Sequence, residues 1–266
     1  METLRCIENQ EQRKFIARRM VVKIGTTTIT GGQSRPDSLF MKEVARQTTE
    51  LLNDGVEVVI VSSGAVASGK KEGFERRDIA DKQVEAVFGQ RKLMEQWSRA
   101  FEEHGIEDLG QLLYTDIDLH ERAASARDVL TRALRRGVVI VNYNDGVSDE
   151  EMRKVERATD NDVLAQQVAA LINADTLLFL TDTDGVLDEN GATISSVDRL
   201  EDIQDLIRTG EGSGTGGSWS KWVQAKSAAR DGRRAFISHG RGEDTILKIA
   251  SGKHVGTRFV KGYMLY

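Results

Sequence analysis

The sequence predicts an α/β fold in which a mainly parallel sheet is covered by helices on both faces. Short apolar runs recur along the chain, they are continuous instead of alternating with polar residues, and helix-like stretches separate them. Continuous apolar strands are those buried on both faces, and strands that alternate with helices are joined in parallel. A chain of 266 residues fits one large domain of this kind, and 39% apolar with 30% charged residues is an ordinary globular balance, so most of it should fold.

The elements follow in order. Residues 1–19 are polar and charged and read as a leader. Met20-Val21-Val22-Lys23-Ile24-Gly25 is an apolar run that ends in glycine, a buried strand opening into a loop. Residues 38–54 carry Leu39, Val44, Leu51 and Leu52 at helical spacing, and Gly55 follows where a left-handed cap belongs. Residues 57–61 form the next strand, after which Ser62-Ser63-Gly64 turns into a small-residue helix. A helix over 83–103, a strand over 109–114, a helix over 122–136 closed by Gly137 and a strand over 138–141 come next. A helix over 162–173 precedes the fully apolar strand 176–180. The stretch Gly210-Glu211-Gly212-Ser213-Gly214-Thr215-Gly216-Gly217 reads as a flexible loop that enters a helix after Lys221.

The totals exclude several function classes. A net charge of −5 argues against general nucleic-acid binding, which draws on an excess of clustered Lys and Arg. One cysteine, Cys6, cannot close an intrachain disulfide, and with four scattered histidines it builds no Cys/His metal site. No run approaches the length of a membrane span, and the N-terminal residues lack the apolar core of a signal peptide. A cytoplasmic protein is expected, without a membrane or nucleic-acid partner.

Chemistry concentrates at strand ends. Lys23-Ile24-Gly25-Thr26, Ser62-Ser63-Gly64, residues 142–145 and Thr181-Asp182 each close a strand, the place where ligands bind in parallel α/β sheets. Turn chemistry alone could explain any one of them, because Asn, Asp, Ser and Gly are what turns use. Residues 64–71 nearly match a phosphate loop of the G-x-x-x-x-G-K-[ST] kind, but Lys71 stands where the magnesium-binding hydroxyl belongs, so Ser62-Ser63-Gly64 is the better anion-binding turn. Lys23 lies inside an apolar strand beside Gly25 and Thr26, where it either reaches phosphate oxygens or extends to solvent. Phosphoryl transfer needs positive charge on the moving group, which Lys23 and Lys221 could supply together. Two ammonium groups in one site call for a carboxylate. Asp160-Asn161-Asp162 offers one, or caps the helix that follows.

These motifs together resemble the glutamate 5-kinases. The resemblance rests on residues 21–26, residues 61–67, Lys82-Gln83 with Gly89-Gln90, residues 142–145, Asp160-Asn161-Asp162, Thr181-Asp182, and Gly214-Thr215-Gly216-Gly217 through Lys221, in family order from about residue 20 to Phe259. It implies the three-layer α/β/α amino-acid kinase fold and transfer of the γ-phosphate of ATP to the side-chain carboxylate of glutamate. By the same resemblance, residues 20–172 hold the acceptor and 173–266 the nucleotide. Lys23 and Lys221 stabilise the transferring group and Asp162 organises them. Ser63, Gly64, Asp145 and Asn161 bind glutamate. Lys23, Gly25, Thr26, Thr181, Asp182, Thr215, Gly216, Gly217, Ser218, Trp219, Ser220 and Lys221 bind ATP, with Mg2+ carried on its phosphates.

Tyr143 stands where the family has an acidic residue, Trp219 enlarges the glycine-rich loop, and residues 148–157 are longer and more polar than the family's substrate loop. The chain ends at Tyr266, where many members continue into an RNA-binding-like PUA domain. A homo-oligomer and a glutamyl-phosphate reductase partner are the associations implied. An enzyme of the same fold with another small acceptor, or an amino-acid sensor without turnover, are the rival readings. Joint retention of Lys23, Asp162 and Lys221 speaks against the sensor.

Overall fold

A computed structural model of the chain describes residues 14–73, 75, 78–147, 161–206 and 215–261, with the backbone alone at 215–217. Cys6, Asp160, the charged stretch 148–157 and the glycine-rich residues 210–214 lie outside the described residues.

Eight strands form one sheet: β1 (Arg19–Ile24), β2 (Glu57–Ser62), β3 (Leu109–Tyr114), β4 (Val138–Tyr143), β5 (Thr176–Thr181), β6 (Ser196–Val197), β7 (Arg234–His239) and β8 (Thr257–Phe259). Their order is β3-β4-β2-β1-β5-β7-β8-β6, and among these described strands only β7 and β8 pair antiparallel. The helices are α1 (Thr26–Thr30), α2 (Ser38–Asn53), α3 (Ala65–Gly69), α4 (Ile79–Glu102), α5 (Asp116–His120), α6 (Ala123–Leu134), α7 (Asn161–Leu171), α8 (Thr215–Arg230) and α9 (Thr245–Ala250). No helix among the described residues is long and apolar enough to cross a membrane.

Strand parity divides the core into two halves. Val21, Val59, Val61, Val139, Leu177, Phe179 and Ile237 face α6, α7 and α8. Met20, Val22, Ile24, Val58, Ile60, Leu178, Leu180 and Phe236 face α2, α4 and α9. The result is three layers, with both faces of every central strand buried, as the continuous apolar runs require. Successive side chains of a strand point to opposite faces. Lys23 therefore falls on the α7–α8 side with Val21, and Ser62 on the α4 side, where its Oγ accepts a hydrogen bond from Trp97 Nε1 at 3.0 Å.

Several elements differ from the sequence expectation for identifiable reasons. Helix α4 starts at Ile79, four residues before the expected 83, because the Asp78 carboxylate accepts from the backbone N–H of Asp81 and caps it. Helix α8 already begins at Thr215, so the second half of the expected glycine-rich loop is its first turns. Gly137 is not a left-handed cap: a Cβ there would lie 2.4 Å from the Asp108 carbonyl, so its role is close approach of backbones. Gly55, at φ +77°, does take the left-handed conformation expected of it. Of the expected leader, the described end packs down: Phe15 and Ala17 are buried, and the N–H groups of Ile16 and Ala17 donate to the Ala250 carbonyl.

Candidate active site

Strand β1 sits between β2 and β5, and the strands that follow it in sequence lie to both sides. That is the kind of point where an open sheet leaves a crevice beyond the carboxyl ends of its strands. A cleft of about 520 Å³ opens there, with walls from β1, the β2–α3 turn, the end of β4, α7 and α8. Lys23, Gly25, Thr26, Ser63, Gly64, Asp145, Asn161, Asp162 and Lys221 all line it, so nine residues singled out from the sequence, scattered over two hundred positions, meet in one place.

At its floor two lysines share one carboxylate. Lys23 Nζ is 2.5 Å from Asp162 Oδ1, and Lys221 Nζ is 3.3 Å from Asp162 Oδ2. Asp162 is 2% exposed and Lys23 only 5%, so this lysine does not extend to solvent. The geometry follows from secondary structure: Lys23 has the parity that faces α7, Asp162 stands in the first turn of α7, and Lys221 lies in the second turn of α8, packed beside α7. A buried carboxylate between two ammonium groups relieves their repulsion and its own desolvation.

Two glycine turns border this cluster. Gly25 is the N-terminal cap of α1 and lies beside the Lys23 ammonium. Gly64, at φ +107°, occupies the left-handed region that favours glycine and turns the chain from β2 into α3. Ser63 Oγ accepts from Asn161 Nδ2 at 2.9 Å, which joins the β2 turn to the start of α7. Asn142, buried on the α4 side of β4, donates to Gln90 Oε1 at 3.3 Å. Asp145 follows β4. Its burial pushes the carboxyl above the usual carboxylate range, and the positive charge of Lys82 draws it part of the way back.

Helix α3 is pressed onto α4 by two glycines. A Cβ on Gly89 would lie 1.7 Å from the Ala65 carbonyl oxygen, and one on Gly69 1.7 Å from that of Glu85. Only residues without side chains permit this approach, which holds Ala65, Val66 and Ala67 against the cleft.

Thr181 and Asp182 line a second hollow of about 300 Å³, with Thr28, His239 and Arg241. It adjoins the first through Thr27, which lines both, so the short helix α1 separates the two. Of the described side chains between Ser218 and Lys221, it is Lys221 that lines the cleft. Trp219 packs edge-on to Trp222, ring centroids 6.3 Å apart, against the core. Tyr143, which stands where the family has an acidic residue, is a buried core residue whose hydroxyl donates to Asp116 Oδ1 at 3.4 Å. Its odd position on β4 turns it to the face away from Asn142.

Seven lining residues had no role assigned from the sequence: Thr27, Ala65, Val66, Ala67, Lys70, Lys82 and Asn142. Lys70 belongs to the incomplete phosphate loop. Lys82 and Asn142 belong to motifs of the family resemblance without an assigned role.

Residues 18–239 match the amino acid kinase family. Among curated proteins, the chain is similar to glutamate 5-kinase of Shewanella amazonensis, 39% identical over 91% of this chain and 66% of that protein. It is similar to glutamate 5-kinase 2 of Pseudoalteromonas translucida, 38% identical over 91% of this chain and 68% of the other. Glutamate 5-kinase of Dehalococcoides mccartyi is 37% identical over the same shares. The chain thus spans about two thirds of the length of these relatives.

Proposed function

The chain belongs to the amino acid kinase family, and on that premise we propose that it transfers the γ-phosphoryl group of ATP to the side-chain carboxylate of L-glutamate, giving glutamyl 5-phosphate, the first step of proline biosynthesis. The observation that carries this is the pair Lys23 and Lys221 held on Asp162 at the floor of a cleft bordered by two glycine turns. The names of the relatives supply the acceptor.

The reaction asks little covalent help of the protein. A glutamate carboxylate, with an ordinary pKa near 4.3, is already ionised at neutral pH and needs no general base. One of its oxygens bonds to the γ-phosphorus while the bond to the β–γ bridging oxygen breaks, and ADP leaves with that electron pair. Negative charge spreads over the three equatorial oxygens in between. Lys23 and Lys221 are the groups to meet it, and Asp162 is the positioning residue that fixes both ammonium groups before substrate arrives. Ser63, Gly64, Asp145 and Asn161 form the acceptor side. Thr181 and Asp182, with residues 215–221, form the nucleotide side. Magnesium is assigned mainly to the ATP phosphates, as the family resemblance implies, and Asp162 is held by two lysines. The same proposal places the enzyme in the cytoplasm as a homo-oligomer that delivers its acyl phosphate to a reductase.

The test is ATP- and glutamate-dependent hydroxamate formation in the presence of hydroxylamine, which traps an acyl phosphate. Lys23→Met and Lys221→Met should each lower kcat by about a hundredfold or more, as loss of a transition-state charge does, with the fold retained. Wild-type turnover in both variants would remove the lysine pair from the mechanism.

A further inference from the structure

The cleft has four lysines in its wall, and two of them, Lys23 and Lys221, are committed to Asp162. Lys70 and Lys82 are left to explain. Lys82 stands in the first turn of α4, where the positive end of the helix dipole disfavours a cation. A lysine kept there gains most from an anion bound next to it. Asp145, half-buried after β4, lines the same cleft, and the charge of Lys82 acts on its carboxyl. Besides the lysine pair on Asp162, the cleft therefore carries a carboxylate and an ammonium that act on one another.

Interacting charges of both signs in the wall of one cleft match the α-carbon of an amino acid, whose ammonium and carboxylate are adjacent. If Asp145 receives the ammonium, the neighbouring carboxylate falls beside Lys82. Lys70 fits less well: it caps the C-terminal end of α3 between this cleft and an adjoining hollow of mixed charge, where the carboxylates of Glu72 and Glu85 also line the wall.

We propose that Lys82 is a specificity-determining residue that pairs with the α-carboxylate of the acceptor, opposite Asp145 on its α-ammonium. This rests on the acceptor being an amino acid phosphorylated at its distal carboxylate, as argued above. The lysine selects what enters the cleft and takes no part in phosphoryl transfer.

The experiment is steady-state kinetics on Lys82→Arg, Lys82→Met and Lys82→Glu, read by hydroxamate formation. Removing a hydrogen bond to a charged group should raise the KM for glutamate about tenfold or more in Lys82→Met. Lys82→Glu should exceed that, and Lys82→Arg should recover most of it, while kcat and the KM for ATP stay within about twofold. Isoglutamine, whose α-carboxylate is a neutral carboxamide, should be insensitive to Lys82→Met, whether read as acceptor or as inhibitor of glutamate turnover. An unchanged KM for glutamate, a fall in kcat alone, or equal losses for glutamate and isoglutamine would overturn the assignment and leave the kinase proposal standing. Absence of glutamate-dependent hydroxamate from the wild-type enzyme would overturn both.

Discussion

Replacing Asp162 by Asn keeps the shape of the side chain at the cleft floor and removes its charge, which isolates the electrostatic role of that carboxylate. At 2.5 and 3.3 Å from its lysines, an effective dielectric near 20 gives roughly 5–7 kcal/mol of attraction per pair. The two ammonium groups, one on each carboxylate oxygen, repel by about 3 kcal/mol at a separation of roughly 6 Å. Desolvation of the buried charges offsets much of the attraction, and Lys221, with 15% of its side chain exposed, keeps some water. A loss of about 3–5 kcal/mol is therefore expected, in line with breaking a buried pair by removing one partner. For a chain of this size that lowers Tm by roughly 6–20 °C. Thermal unfolding followed by circular dichroism at neutral pH reads the loss. A wild-type Tm in the variant would refute the assignment of Asp162 as the counter-charge.

Two further perturbations follow from the geometry. Burial raises the Asp145 carboxyl above 3.8, so its ionisation costs stability as pH rises through the window between 3.8 and the folded value. Asp145→Asn should accordingly be more stable than the wild type above that window while its KM for glutamate rises, and pH-dependent unfolding with glutamate titration checks both; an Asn variant less stable at neutral pH contradicts the expectation. Gly89→Ala forces a methyl carbon to within 1.7 Å of the Ala65 carbonyl, so α3 must move off α4. The cost should be about 1–3 kcal/mol or more, with a raised KM because α3 lines the cleft. A wild-type Tm for this variant would show that the two helices do not pack backbone to backbone.

Much of this protein is written locally. The apolar runs at β1, β2, β4 and β5 specify buried parallel strands whatever surrounds them, because a strand with no polar face must be covered on both sides. The polar residues that end those runs mark the carboxyl edge of the sheet, and the candidate site follows from that edge. The strands β6 and β8, two and three residues long, are too short to carry a period: β8 exists because β7 offers a partner, and β6 because β8 does. The start of helix α8 reads as a loop because glycine is a poor helix former in isolation; Lys226, buried on that helix and donating to the Val260 carbonyl at 2.6 Å, shows the packing that overrides propensity. Tyr143 and Lys82 make the same point from opposite sides. One looks like a site residue and is core, the other has no role assigned by its motif and faces the cleft, because which way a side chain points depends on strand parity and on where a helix is docked. Local residue pattern was enough to specify the kinds of element and the residue types available for phosphoryl transfer. That Lys23 and Lys221, nearly two hundred residues apart, close on one buried aspartate is a property of the packed molecule, since the convergence depends on β1 lying mid-sheet with α7 and α8 packed side by side over one of its faces.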